Sequence, residues 1–124
     1  MTIADLYTIC SAYQGATESF PFDEDTLVFK VGGKIFLLTG LSGWENGNPS
    51  INLKCDPERA LDLRERYAAV EPGFHMNKKH WNTVFVHQDL PLRELKKLID
   101  HSYELVFSQL SKKMQEEINN SELN

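Results

Sequence analysis

The sequence predicts an α+β protein in which an antiparallel sheet of about five strands carries helices packed on one face. Three observations lead to this prediction. Residue patterns typical of strands cluster in the middle of the chain, patterns typical of helices lie on both sides of that cluster, and a Gly-Gly pair separates two of the strand-like segments. Because tight turns join strands in antiparallel pairs, these features favour one sheet backed by helices.

The length and composition fit one domain. The chain has 124 residues, 41% hydrophobic and 25% charged, which are ordinary values for a folded protein. We therefore treat residues 1–124 as a single domain and expect a monomer. No apolar segment approaches the roughly 18 residues of a membrane helix, and the first ten residues lack a signal-peptide pattern. These features predict a cytoplasmic protein without membrane contact.

The first half of the chain is predicted to contain one helix and three strands. Thr2 and Asp5 form a capping-box pattern, and apolar residues then recur at helical spacing until Gly15. Residues 26–39 predict a β-hairpin whose turn is the Gly-Gly pair, because glycine adopts the positive φ angles of a tight turn. After a loop rich in Gly and Asn, residues 51–55 predict a third strand.

A second helix is predicted to begin at Asp56. The Asp56 carboxylate can accept hydrogen bonds from free backbone amides, and the proline that follows needs no donor in a first helical turn. We expect this helix to bury Leu61, Tyr67 and Ala68. Pro72 and the glycine after it are predicted to end the helix.

The second half is predicted to contain another hairpin and a long helix. Residues 74–86 include strand-like residues, with a cationic segment at or near the turn. Apolar residues at helical spacing predict a long helix over residues 91–110. Within it, Ser102 should face the core or donate to a backbone carbonyl. The tail from Ser111 should add a turn or two of helix.

Cysteine and histidine residues do not indicate a metal site. Cys10 and Cys55 form no CxxC pair and lie among apolar residues, so we expect two reduced, buried thiols. His75 and His80 are five residues apart, which on a strand directs them to opposite faces. No cofactor or metal is expected. His87 and His101 are predicted to lie at the surface.

A cationic, aromatic segment at residues 72–82 is the strongest functional signal, since the chain as a whole has a formal net charge of -5. It contains no acidic residue, and its lysines could neutralise phosphates. The first hairpin has a second, smaller group of lysines near its turn. The candidate nucleic-acid-binding residues are His75, Asn77, Lys78, Lys79, His80, Trp81 and Asn82 in the cationic segment, and Lys30, Lys34 and Lys54 in the second group.

Each of these features also has a structural interpretation. Trp81 could stack on an unpaired base, or it could anchor the hairpin in the core. Lysines near strand edges could bind phosphates, or they could block unwanted strand pairing. We found no GxSxG, P-loop, GxGxxG or HExxH motif, so no catalytic residue is assigned and no enzymatic activity is expected.

Several segments of the chain resemble the MmcQ/YjbR family, and together they span nearly its whole length. The resemblance implies a CyaY-like fold and DNA binding through two basic β-hairpin wings. Phe74 stands where the family often has tyrosine. The segments are FPFD at 20–23, VFKVGGKIF at 28–36, NLKCDPE at 52–58, LRERY at 63–67, PGFHMNKKHWNTV at 72–84 and DHSYELV at 100–106.

These observations predict a protein that binds DNA weakly and in a salt-sensitive manner through basic hairpin turns. The alternative is a module that binds an acidic protein partner or a small anionic ligand. Both hypotheses use the same ammonium groups, so the sequence leaves both open.

Overall fold

The computed structural model describes residues 1–74 and 76–121, and over these residues it shows five helices and six strands. The α+β prediction is confirmed, with one strand more than expected. The helices are α1 (Ile3–Ser11), α2 (Leu41–Glu45), α3 (Pro57–Arg66), α4 (Leu92–Ser108) and α5 (Lys112–Ser121); the strands are β1 (Ala16–Ser19), β2 (Thr26–Val31), β3 (Lys34–Gly40), β4 (Ser50–Lys54), β5 (Val70–Pro72) and β6 (Trp81–Phe85).

The six strands form one antiparallel sheet in the order β1-β2-β3-β4-β6-β5. The first predicted hairpin is present, with the Gly32-Gly33 turn joining β2 to β3. The second predicted hairpin begins earlier than expected: β5 ends at Pro72, before the predicted segment 74–86, and residues 73–80 connect it to β6. The sequence did not predict the edge strand β1, in which Ala16 pairs with Val31. Its residues after Ala16 are exposed, so β1 has no buried apolar pattern that the sequence could reveal.

One face of the sheet carries the core. Alternate residues of each strand point to this face, where α1, α3 and α4 cover them. In β2, for example, Leu27, Phe29 and Val31 pack into the core cluster, together with Leu98 and Ile99 of α4. The opposite face of the sheet carries a groove among β3, β4 and the loops around Phe22 and Phe74. The residues that line this groove belong to strands and loops rather than to helices.

Ser102 joins α4 to the sheet where β3 is irregular. The pairing of β2 with β3 shifts between Phe29 and Lys30. The Ser102 hydroxyl is fully buried; it donates to the Phe36 carbonyl oxygen at 2.5 Å and accepts from the Lys54 backbone N–H at 2.9 Å. The prediction that Ser102 faces the core and bonds a backbone carbonyl is confirmed.

The first helix begins as predicted. Thr2 Oγ1 accepts from the Asp5 backbone N–H at 3.2 Å, and the Asp5 carboxylate accepts from the Thr2 N–H at 2.8 Å. The hydrogen bond from the Thr2 backbone N–H to the Asp5 carboxylate, and then the neighbouring Thr2 side chain, hold the pKa of Asp5 below its usual value. The predicted helix start at Asp56 is also confirmed, because its carboxylate accepts from the Arg59 N–H at 3.3 Å.

The structure corrects the predicted buried side and end of α3. Leu61 is 59% exposed and Ala68 is exposed, while Ala60 and Leu63 are buried in their place. Tyr67 is half-buried and has extended backbone angles (φ -128°, ψ 125°), so the helix ends at Arg66 rather than at Pro72. Residues 70–72 pair with β6 as strand β5, although the sequence pattern predicted that they belong to the helix.

The tail forms a longer helix than predicted. α5 has 10 residues, and its side chains pack onto Gly32 in the β2–β3 turn and onto Gly15 in the α1–β1 loop. A Cβ at Gly32 would lie 2.7 Å from Leu110 Cδ1 and 3.2 Å from Met114 Cγ, and a Cβ at Gly15 would lie 2.9 Å from Ile118 Cγ2. The tail and the residue Leu110 before it therefore cover Gly32, while Gly33 stays uncovered by the described residues.

Both cysteines are free and buried, as predicted, and burial raises the pKa of Cys10 to about 12 and that of Cys55 to about 11. His87 is exposed, but His101 is half-buried and its Nε2 accepts from the Asp56 N–H at 3.1 Å, which corrects its predicted surface position. Within residues 1–74 and 76–121, no helix has the length and apolar character needed to cross a membrane.

Candidate nucleic-acid interface

The two hairpin connections lie at the same end of the sheet. Val31 pairs with Lys34 at the β2–β3 turn, and Leu37 further along β3 pairs with Leu53 of β4. The carboxyl end of β4 is therefore next to the β2–β3 turn. Lys54 at this end pairs with Trp81, the first residue of β6, which follows the β5–β6 connection. We call residues 31–34 the first turn and residues 73–80 the second connection.

One strand separates the two connections. β4 lies between β3 and β6, and neighbouring strands are spaced by about 4.8 Å, so β3 and β6 lie about 10 Å apart. Lys54 is the last residue of β4 and lies between the two connections. Lysines that are distant in sequence thus share one end of the sheet, which we call the basic end.

The first turn is short and anchored. Gly32 and Gly33 have φ angles of 56° and 79°, which only glycine adopts without strain. Leu110 and Met114 pack against Gly32. Lys34 is exposed beside this anchored turn. Lys30 is half-buried and, by strand alternation from Phe29 in the core, lies on the sheet face away from the helices.

Lys54 lies close to Lys34, and within residues 1–74 and 76–121 it forms no ion pair with a carboxylate. Its Nζ donates to Gln109 Oε1 at the end of α4, at 2.8 Å. Partial burial lowers the pKa of Lys54, and the positive charge of Lys34 lowers it further. Repulsion between two ammonium groups decreases when an anion binds between them, so this pair favours an anionic ligand.

Asn77 organises the second connection. Its carbonyl oxygen accepts from the backbone N–H groups of His80 (3.2 Å) and Trp81 (2.9 Å), and its Oδ1 accepts from the Lys79 N–H at 2.9 Å. Asn77 is nevertheless exposed, and its amide nitrogen makes no hydrogen bond to the described residues. Asn77 therefore has two roles: its oxygen atoms hold the second connection in place, and its side-chain N–H groups can donate to a ligand.

Lys78 and Lys79 are both exposed. The Lys78 ammonium donates to the Gly73 carbonyl oxygen at 2.9 Å, which closes the connection and uses one of its three N–H donors. The ion pairs found among residues 1–74 and 76–121 involve Arg66, Arg93 and Lys97 and include none of the candidate lysines. The charges of Lys78 and Lys79 thus remain available to an anion.

Asn82 has a structural role in this conformation. Its side chain is 2% exposed, and its Oδ1 accepts from Arg64 Nε at 2.7 Å. The same guanidinium donates to the carbonyl oxygens of Lys78 and Trp81. Arg64 of α3 thus holds the second connection in place. Asn82 accepts a hydrogen bond from Arg64 and is not part of the exposed surface.

The remaining candidates differ in exposure. Trp81 is half-buried, which is compatible both with stacking on a base and with anchoring the hairpin in the core. A Cβ at position 73 would lie only 2.9 Å from the Cβ of Trp81, so position 73 requires glycine. His80 is half-buried, and its carbonyl oxygen accepts from the Cys55 N–H at 2.8 Å. His75 lies outside the described residues.

Three further cations near this end were absent from the sequence prediction. Arg64 anchors the second connection, and Lys112 and Lys113 are exposed at the start of α5, which packs on the first turn. The spacing of Leu110, Met114 and Ile118 at intervals of four could have indicated the helix and placed its lysines. No local pattern indicated the contact of Arg64 with Asn82.

Comparisons with known proteins agree with this architecture. The family model described as YjbR matches residues 11–105. This chain belongs to the YjbR family. It is 41% identical to YbdF of Escherichia coli O157:H7 over 99 residues, covering 80% of this chain and 79% of YbdF. It is 36% identical to YjbR of Escherichia coli strain K12 over 104 residues, covering 84% and 86%.

Solved structures show the same fold. The crystal structure of Deinococcus radiodurans DR2400 superposes with a TM-score of 0.88 at 36% identity, covering 95% of this chain and 88% of that one. A Pseudomonas syringae protein at 23% identity has a TM-score of 0.71, with 86% and 99% coverage. The YjbR-family fold therefore includes the sheet and both hairpin connections, since the matched region contains them.

Proposed function

We propose that this YjbR-family protein binds nucleic acid weakly through the basic end of its sheet, in the cytoplasm and without catalysing a reaction. The observation that supports the proposal is the position of the two cationic connections at one end of the sheet, with Lys54 between them. A polyanion lying across this end would meet lysines from both connections at once.

The residues divide into those that contact phosphate and those that hold the surface in place. Lys34 and Lys79 are exposed, and Lys78 keeps two N–H donors after its bond to Gly73. With Lys54, these lysines are the phosphate contacts in the proposal. Asn77 offers an amide to sugar or base, while Asn82 stays with Arg64 as part of the support.

The expected affinity is low and depends on salt. Each neutralised phosphate releases counterions, so four contacts lower the affinity about 100-fold between about 50 and 200 mM salt. The net charge of -5 opposes association at long range, but salt screens charges beyond about 8 Å. Contacts at the basic end therefore decide the binding, and they should be measured at low salt.

The test is charge reversal in the second connection. We expect Lys78→Glu with Lys79→Glu to abolish retardation of a labelled nucleic acid at 50 mM salt. Loss of the bond from Lys78 to the Gly73 carbonyl should cost only about 1 kcal/mol, so the variant should remain folded at the assay temperature, as a melting curve verifies. The matched control is Lys96→Glu with Lys97→Glu, which makes the same charge change at exposed positions in the N-terminal half of α4. Equal binding by the two double variants would reject the proposed site.

The alternative ligand is an acidic protein or a small anion bound by the same lysines. A pull-down with the wild-type chain before and after nuclease treatment separates these possibilities. Loss of the bound material after digestion supports nucleic acid. An acidic protein that survives digestion and is lost with the Lys78→Glu, Lys79→Glu variant would contradict the proposal.

A further inference from the structure

A groove of about 360 Å³ crosses the sheet face opposite the helices. Leu38 of β3 and Asn52 of β4 pair with each other and form its floor. Most of its lining is apolar, and no helix contributes to it. Its other lining residues include Phe22, Thr26, Ile35, Phe74 and Met76.

The Asn52 side chain in the floor of the groove is held by a hydrogen bond from Thr83. The Thr83 hydroxyl accepts from the Phe74 backbone N–H at 3.0 Å and donates to Asn52 Oδ1 at 2.6 Å. The Asn52 amide nitrogen therefore points away from Thr83, and it makes no hydrogen bond to the described residues. Its N–H donors are available to an acceptor in the groove.

Two aromatic rings lie on the groove lining with much of their surface in solvent. The side chain of Phe22 is 66% exposed and that of Phe74 is 47% exposed. Phe74 is held by its backbone bond to Thr83 and by an edge contact with Phe85, with ring centroids 6.4 Å apart. Exposed phenylalanine rings at a concave site suit a planar ring, which stacks on them.

The groove continues into the basic end. Phe74 and Met76 line it and belong to the second connection, which also contains Lys78 and Lys79. Lys30 lies on the same sheet face and pairs with Ile35, another lining residue. At the end of the groove away from the lysines, the Asp23 carboxylate accepts hydrogen bonds from Thr26. The negative charge of this carboxylate repels phosphates and so favours their binding at the basic end.

We propose that this groove receives an unpaired base of single-stranded nucleic acid whose phosphates contact the basic end. The inference rests on the proposed function and specifies its substrate class. A carbonyl oxygen of the base, as in thymine, accepts from the Asn52 amide while the ring stacks on Phe74. Bases within a duplex are stacked and paired, so they cannot enter the groove.

The test compares strands that differ only in their bases. The probes are labelled oligothymidine of about 12 nucleotides, an abasic strand with the same number of phosphates, and a duplex of equal length. By fluorescence anisotropy at low salt, we expect the wild-type chain to bind oligothymidine at least about 5-fold more tightly than the abasic strand, since stacking of one base contributes a factor of this order.

Two variants locate the base. Phe74→Leu keeps an apolar side chain but removes the ring, and Asn52→Asp keeps the acceptor for Thr83 but removes the amide donor. Each should bring the affinity for oligothymidine toward that for the abasic strand and leave abasic binding nearly unchanged. Melting temperatures verify folding, and Phe22→Leu, at a more exposed ring, is a second aromatic variant less liable to perturb the fold.

The outcomes separate the two proposals. Equal affinity for oligothymidine and the abasic strand, with both lost in the Lys78→Glu, Lys79→Glu variant, would overturn the base-binding groove and support the phosphate-binding basic end. Preference for the duplex would also overturn the groove. Failure of all three probes to bind would contradict the proposed function, and the groove with it.

Discussion

The two connections at the basic end carry lysines but are built differently. The first turn has two glycines at positive φ and lies beneath Leu110 and Met114. The second connection is longer, and it is held mainly by hydrogen bonds that Arg64 and Lys78 donate and that Asn77 accepts. The first turn therefore depends on hydrophobic packing, whereas the second depends on polar contacts near solvent. Substitutions should affect stability most at the first turn and binding most at the second connection.

Removing the hydrophobic cover of the first turn should have the largest effect on stability. Leu110 is 7% exposed and packs on Gly32. We expect Leu110→Ala to lower the free energy of unfolding by about 3 kcal/mol. Denaturant unfolding checks this value. Leu92→Ala on α4, where the residue is 47% exposed, is the control and should change the free energy of unfolding by about 0.5 kcal/mol or less. Equal effects of the two substitutions would contradict the packing of Leu110 on the first turn.

Cutting the polar anchor should loosen the second connection selectively. Arg64→Gln leaves Asn82 Oδ1 and the Lys78 carbonyl without their donor, at a cost of about 1 to 3 kcal/mol. Trypsin should then cleave after Lys78 or Lys79 faster than in the wild type, because the connection opens more often. Unchanged cleavage would show that Arg64 does not hold this segment. Arg66→Gln, at an exposed ion pair, is the matched control.

The glycines of the first turn provide a finer comparison. A Cβ on Gly32 would lie 2.7 Å from Leu110 Cδ1, whereas a Cβ on Gly33 meets nothing within 4 Å. Both residues have positive φ, so alanine should cost about 1 kcal/mol at either position. Gly32→Ala should cost more because Leu110 must also move. Thermal unfolding of the two variants would contradict this packing if Gly33→Ala were the more damaging.

The smallest effect concerns pH and lies outside both connections. Burial, and then the charge of Arg59, lowers the pKa of His101, whose Nε2 accepts from the Asp56 N–H. Since the folded state favours neutral His101, stability should fall as pH decreases below about 6.5, the pKa of an unperturbed histidine. Melting temperatures from pH 7.5 to 5.5 should show a smaller decrease in His101→Gln, which cannot be protonated. An identical decrease in both proteins would exclude this histidine as the cause.

The sequence predicted correctly those elements that are determined by residues close together in the chain. Thr2 with Asp5 showed the start of α1, and the Gly-Gly pair showed the first turn, because local geometry determines both. β1 was missed because its exposed residues become a strand only by pairing with β2. Leu61 was misassigned to the core because a helical pattern does not show which side meets the sheet.

The candidate site was predictable only in part. Lys78 and Lys79 were visible as a charge cluster, but their position beside Lys54 follows from the strand order β3-β4-β6, which is a long-range property. The pairing of Asn82 with Arg64 and the relay from Phe74 through Thr83 to Asn52 join residues of separate elements. Such contacts have no local sequence pattern.

The most direct test of the account is the salt dependence of nucleic-acid affinity for single lysine variants from each connection. Each lost phosphate contact should reduce the slope of log affinity against log salt by about 0.7 to 0.9, so Lys34→Ala and Lys79→Ala should each produce this change and together about twice it. That result would show that both connections contact one polyanion. A wild-type slope retained in both variants would contradict the shared basic end.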